Sequence, residues 1–467
     1  VSPEMIGFSF IVLGFFLIIG RILRLKIKRL RDLFLPSSII AGFIALLVGP
    51  EGLGRMLRLT LGEETFLREG VLTSEIVEVW STLPGLFINV IFASLFLGKV
   101  VPGLKKIWLI AGPQVMMGQT VSFGQYVLGL LLSIFILTPL FGLSPLAGGL
   151  IEISFVGGHG TAAGLSDTFD ALGFSEGRDL ALGLATIGIV SGVLIGIALI
   201  NWGQRKGHLK FIDEAIALTD DEKEALSNFD TREQKKVRHS DSLEPLAYHF
   251  AIVGVSILIG YFFQQLLIRL EANTWGVWYD IHLFEFVPLF PLAMMGGMVV
   301  QVVLTKMNRD EYIDRRLINR ISGFSLDVLI VAALATIELT VIGAYFLPFL
   351  ALALTAIIWN VFAFLVIAPR MIPHFWFERG IGDLGQAMGM TATGLLLIKI
   401  ADPKQQSPAI EGFGYKQLLF EPLVGGGLFT AASLPLINQF GAVPMLVVSI
   451  LLFAVFLLTG LFYFGKK

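Results

Sequence analysis

The chain has 467 residues, of which 55% are hydrophobic and only 15% charged, with a formal net charge of −2 and no cysteine. A soluble globular surface uses roughly a quarter charged residues, so this composition excludes a water-soluble domain and makes lipid the solvent. Lack of cysteine excludes disulfides, thiolate metal sites and cysteine nucleophiles, the six histidines show no H-x-x-x-H or H-E-x-x-H spacing that would hold zinc, and no basic or aromatic cluster invites nucleic acid.

Apolar runs of about 17–25 residues mark membrane spans. In chain order they fall at 5–20, 33–49, 82–98, 107–137, 180–203, 246–267, 286–304, 323–345, 349–368, 422–438 and 443–464. The first is followed by six basic residues rather than a small-residue cleavage site, so it reads as a retained span. An all-α membrane protein with about eleven transmembrane helices is expected. Two further apolar stretches, 145–166 and 381–398, are dense in glycine and carry a charge each.

Lys and Arg orient the spans, because they collect on the cytoplasmic side. With the N-terminus outside and the C-terminus cytoplasmic, 29 of the 34 basic residues lie inside, among them Lys399, Lys404 and Lys416. That count holds only if the two glycine-rich stretches enter and leave on one face. They are therefore expected as re-entrant broken hairpins, the first entering from outside and the second from the cytoplasm. Irregular backbone survives at membrane depth only where protein or a polar cavity satisfies its N–H and C=O groups.

A charged segment, 204–244, with eight basic and ten acidic residues, reads as a cytoplasmic linker between two halves. The first repeat covers 1–203 and the second 245–438, with 439–467 as an extra C-terminal span. The halves share vocabulary in the same order. Gly160 through Leu165 reads G-T-A-A-G-L and Met390 through Leu395 reads M-T-A-T-G-L; Pro36 and Pro291 open corresponding spans; Leu-Ile-Asn recurs at Asn201 and Asn438. One half begins outside and the other inside, so the repeats are inverted. Inverted repeats with discontinuous segments are the architecture of secondary transporters, with the site near the midplane.

The candidate site follows from the breaks. Gly157, Gly158 and Gly160 let the backbone turn and expose amides, and a helix starting there offers free N–H groups and a partial positive charge to a carboxylate. Close helix packing through small residues is the alternative. His159 at the turn either donates to a carboxylate or caps backbone carbonyls, and Thr161 offers a hydroxyl to substrate, ion or its own helix. In the second stretch Thr391 and Thr393 stand at the equivalent turn beside Gly389. Asp383 either pairs with an ammonium group or cation, or sits at the inner interface. Ionisable groups inside spans default to function. Asp327 and Glu338, eleven residues apart on one expected helix, share a face about 16 Å apart and are candidate sodium ligands together with Asn89 and Ser154. Asn89, Gln119, Gln125 and Asn360 are equally explained by interhelical hydrogen bonds.

The run from Ser154 to Thr161 (S-F-V-G-G-H-G-T), with Gly385, Gly389, Thr391 and Thr393 in the second stretch, resembles the two re-entrant loops of the bacterial sodium/glutamate symporters. The resemblance covers the chain through about Asn438. It implies sodium-coupled import of glutamate across the bacterial cytoplasmic membrane, with sodium as coupling ion and no other cofactor. It also implies a homodimer and an elevator-type motion of the broken segments against a scaffold. By position, its substrate contacts would be Gly157, Gly158, His159, Gly160, Thr161, Gly389, Thr391 and Thr393. The chain departs from the pattern at Glu152, Gln386 and Ala387. Rival readings are a sodium-coupled carrier for citrate or another carboxylate and a sodium/proton antiporter. No nucleophile–base pair or metal pair marks an enzyme.

Overall fold

The computed structural model describes residues 2–28, 30, 35–62, 65, 68–99, 104–209, 244–279, 281–403 and 407–465. Most of the expected linker 204–244, and Lys404, lie outside the described residues. Among the described residues the chain is all helical, and ten helices are long and apolar enough to cross a membrane.

The first half opens with α1 (Pro3–Lys26), α2 (Ser37–Val48, carried on through a π turn to Leu61) and α3 (Ser74–Ser94). Proline at the first helical position and a side-chain cap start two of the long helices. Ser2 Oγ accepts from Met5 N–H at 3.2 Å ahead of Pro3, and Glu244 accepts from Ala247 N–H at 2.8 Å ahead of Pro245. Next come α4 (Leu104–Leu132, continued to Phe141), the short helices α5 (Leu150–Phe155), α6 (Gly158–Gly164) and α7 (Ser166–Ala171), and the long α8 (Glu176–Arg205).

The second half has α9 (Pro245–Asn273), α10 (Leu289–Lys306), α11 (Arg315–Ala335), α12 (Leu339–Ala344) and α13 (Phe346–Phe362, continued to Met371). They are followed by α14 (Trp376–Ala387), α15 (Thr391–Ala401), α16 (Ala409–Phe420), α17 (Leu428–Phe440) and α18 (Ala442–Thr459).

Three expectations need correction. The tenth span, 422–438, is instead α17, whose 13 residues rise only about 20 Å against a hydrocarbon core of about 30 Å. It follows a break at 421–427, where Pro422 removes an amide and Gly425 and Gly426 adopt φ of +70° and +99°. Second, α16 stands where a cytoplasmic loop was expected; Lys416, counted among the solvated loop charges, is 1% exposed. Third, α11 ends at Ala335, so Asp327 and Glu338 do not share a helix.

The helices sort into two bodies. In one, α3 packs along α11 and α10, α9 along α10, and α2 between α1 and α11. Trp80 is fully buried there and its indole N–H donates to Ser9 O at 3.2 Å. Arg315 ties the end of this body by donating to Ser94 O and Leu97 O, both at 2.7 Å. In the other body α4 lies central, flanked by α16 and α18, while α8 packs on α5, α6, α14 and α15. A single apolar core runs through this second body and reaches the first at Ile39, Ile88, Phe92 and Leu334. Only 17% of the apolar windows of α9 and α18 is buried, which puts both at the periphery.

Candidate functional site

Both glycine-rich stretches are interrupted, and the interruptions touch. The first falls between α5 and α6, with Gly158 at φ +68°. The second falls at 388–390, between α14 and α15. A Cβ at Gly158 would stand 2.8 Å from Gly389 O, so the two backbones meet at a point where a side chain has no room. α14 and α15 run back along each other, and a Cβ at Gly385 would lie 2.8 Å from Gly394 Cα.

Each break is held by polar groups from the spans around it. Ala387 O, at the end of α14, accepts from Gln125 Nε2 at 3.1 Å and Asn360 Nδ2 at 3.3 Å, and Gln125 also donates to Asn360 Oδ1 at 3.0 Å. Gln125 lies on α4 and Asn360 on α13, the fourth span of each half, so these interhelical bonds fix the end of the broken helix. Below them α8 is the floor: a Cβ at Gly188 would lie 2.6 Å from Met388 O. On the same helix Thr186 Oγ1 donates to Leu182 O at 3.0 Å and stands 2.9 Å from His159 Nε2. His159 Nδ1 is buried with no hydrogen-bond partner.

The third break, at 421–427, closes over the other two. A Cβ at Gly426 would lie 2.6 Å from Thr161 Oγ1, and Gly425 N–H donates to Glu152 Oε1 at 2.9 Å. Glu152 also accepts from Thr430 Oγ1 at 3.0 Å and Tyr126 Oη at 2.7 Å. All of its reach is thus spent binding α5, α4, the third break and α17 to one another. Glu421 accepts from Thr391 Oγ1 at 3.2 Å, and its second oxygen has no partner. The sequence reading missed this third element, although the three glycines following Pro422 are visible in it.

Four buried polar atoms in these three interruptions and the turn leading into them make no hydrogen bond: Ser154 Oγ, His159 Nδ1, Thr161 Oγ1 and Glu421 Oε2. Orphaned polar atoms at membrane depth are costly. Thr391 begins α15, whereas Thr161 lies one turn into α6, so the two are not at equivalent helical positions. Thr393 is buried on the first turn of α15.

The other predicted residues lie elsewhere. Asp383, one turn before the end of α14, is paired with Lys416 Nζ at 2.8 Å, and Lys416 also donates to Gln386 Oε1 at 2.8 Å. Asp327 is exposed on α11. Glu338 is exposed beyond the end of that helix, and its backbone N–H donates to Asp179 Oδ1 at 3.2 Å. Asn89 donates to Gly85 O at 2.7 Å and lines a cavity of about 300 Å³ between the two bodies, with Gly164, Asp167, Gln264 and Glu285.

The sodium/glutamate symporter family matches residues 6–393, a stretch that contains both glycine-rich breaks. The chain belongs to that family. It is a family of transporters, and the ten apolar helices make this member a multi-pass membrane protein. The sodium/glutamate symporter of Haemophilus influenzae is 23% identical over 416 residues, covering 88% of this chain and 90% of the relative. The sodium/glutamate symporter of Escherichia coli is 26% identical over 260 residues, covering 55% and 59% respectively. The symporter family match stops before the third break.

Proposed function

We propose that this symporter imports glutamate with sodium across the bacterial cytoplasmic membrane, holding the substrate where the interrupted segments meet. The observation that carries the reading is the backbone contact between Gly158 and Gly389 O, which brings the starts of α6 and α15 together. The first amides of a helix have no partner within it; at membrane depth they suit a substrate carboxylate. Gly157, Gly158, His159, Gly160 and Thr161 form one wall, and Gly389, Thr391 and Thr393 the other. Of the sequence-derived sodium ligands, Ser154 Oγ and Asn89 Oδ1 are both buried without a partner, and Ser154 stands one turn before the first break.

In this reading the N-terminus is outside and the broken segments enter from opposite faces as re-entrant hairpins of two inverted repeats. The body built on α1–α3 and α9–α11 is the scaffold, and in a homodimer it holds the partner. The body carrying the breaks moves against it as an elevator, and the two separate apolar clusters confined to the scaffold body support that assignment. Asp383 has Lys416 as its counter-ion and is a positioning residue rather than a substrate contact.

Reconstituted protein is expected to accumulate labelled glutamate when an inward sodium gradient is imposed and to stop when choline replaces sodium. Uptake that proceeds equally without sodium would remove the coupling. Citrate competing as well as glutamate would transfer the site to another carboxylate.

A further inference from the structure

The third break contains a group that neither the family resemblance nor the glycine-rich motifs assign. Glu421 lies between α16 and α17 and is 9% exposed. One oxygen accepts from the hydroxyl of Thr391, the first residue of α15. The other is buried without a hydrogen-bond partner. Lys99, Lys416 and Arg315 act on this carboxylate electrostatically, yet none donates to Oε2. A second observation bears on the same spot: Thr161 Oγ1, facing the glycine loop that Glu421 begins, is likewise buried and unpaired.

We propose that Glu421 binds the coupling sodium at its unpaired oxygen, and that neutralising this carboxylate is what admits the anionic substrate to the start of α15. The inference rests on the substrate site proposed above. A carboxylate with an unpaired oxygen at Thr391 occupies the electrostatic position that a substrate carboxylate needs, and two like charges about 4 Å apart, before partial screening by Lys99, Lys416 and Arg315, repel by on the order of a thousandfold in affinity at a protein-like dielectric. Sodium, a hard cation that prefers oxygen ligands, cancels the repulsion without displacing Glu421. Coupling then needs no long pathway. Substrate binds weakly until the ion is in place, and by linkage the ion binds weakly until the substrate is.

The test is glutamate binding to the full-length protein in detergent at a series of sodium concentrations, with choline keeping ionic strength constant. The slope of log Kd against log sodium counts the ions taken up with the substrate. Glu421→Gln is expected to lower that slope by about one relative to the parent. Glu421→Asp keeps the charge but withdraws it, and is expected to keep the slope while needing roughly tenfold more sodium. An unchanged slope in Glu421→Gln overturns the assignment; if that variant does not fold, parent-like sodium affinity in Glu421→Asp overturns it instead. Glutarate, which has both carboxylates of glutamate and no ammonium, separates the remaining alternative. If Glu421→Gln erases the preference for glutamate over glutarate and leaves the sodium slope intact, Glu421 faces the substrate ammonium and the sodium assignment falls. A parent protein with no sodium-dependent glutamate binding would instead remove the proposed function itself.

Discussion

Gly158→Ala is expected to abolish sodium-driven glutamate uptake while Gly160→Ala, whose methyl would face Ile88 and leave the residue's backbone in the wall, keeps most of it. At Gly158 the backbone is left-handed, and placing an L side chain there costs about 1–2 kcal/mol. The added methyl would also stand 2.8 Å from Gly389 O, a backbone atom that moves only if the second break moves. Overpacking of this kind costs about 1–3 kcal/mol. Together these terms depopulate the touching arrangement roughly 30-fold to several-thousandfold. Gly160 has no such constraint: its nearest neighbour would be Ile88 Cδ1 at 3.4 Å, the flexible end of a side chain. Uptake in proteoliposomes, with protein amount and sidedness matched, separates the two variants. Equal loss in both would show that any methyl in the glycine run is harmful and that the contact between the breaks has no special role.

The second large effect is expected at the buried ion pair. Asp383 and Lys416 are 2% and 1% exposed, and Arg379 lies near enough to act on Asp383 electrostatically. Replacing one partner of a buried pair leaves an uncompensated charge and costs about 3–5 kcal/mol. Asp383→Ala strands Lys416 among Phe413, Phe420 and Gln386 and is expected to lower thermal stability sharply. Removing both charges, as Asp383→Leu with Lys416→Met, is expected to recover most of that loss, since apolar replacement of a whole buried pair is often close to neutral. Arg379 keeps its hydrogen bonds to Gln114 Oε1 at 2.9 Å and Ile110 O at 2.7 Å but loses the carboxylate that acts on it, so the recovery is expected to fall short of complete. Thermal unfolding in detergent tests the sign. A double variant as unstable as the single one would mean that packing of α14 against α16, not charge, is what Asp383 supports.

The sequence made the breaks legible because glycine density and lost hydropathic regularity are local signals. α8 was equally plain, its apolar run from Leu180 to Gly203 bounded by Glu176, Arg178 and Asp179 before it and Arg205 after it. What escaped was everything that depends on a partner distant in sequence. α16 carries Glu411, Lys416 and Gln417, so it reads as a loop, yet it is buried because Asp383 and Gln386, some 30 residues earlier, receive its polar face. The same cause hid the third break: Gly425, Gly426 and Gly427 were visible but read as part of a span, because the groups that give them a purpose, Glu152 and Thr161, lie more than 260 residues away. Glu152 itself looked like a misplaced acid in the motif. Its three hydrogen-bond donors come from α4, α17 and the third break, none of which the motif contains. The end of α11 at Ala335 was hidden for a different reason, since Thr336, Glu338 and Thr340 interrupt the apolar run only briefly before it resumes at Val341 and Ile342.

The chain's lack of cysteine permits a direct measurement on an otherwise native background. Thr161→Cys and Thr391→Cys, each a single reactive thiol on one side of the meeting breaks, are labelled with a small charged thiol reagent in proteoliposomes. Sodium and saturating glutamate together are expected to slow labelling at both positions by about tenfold, and either alone to slow it less. Labelling that glutamate and sodium leave unchanged at both positions, in variants that still transport, would place the substrate somewhere other than between the breaks.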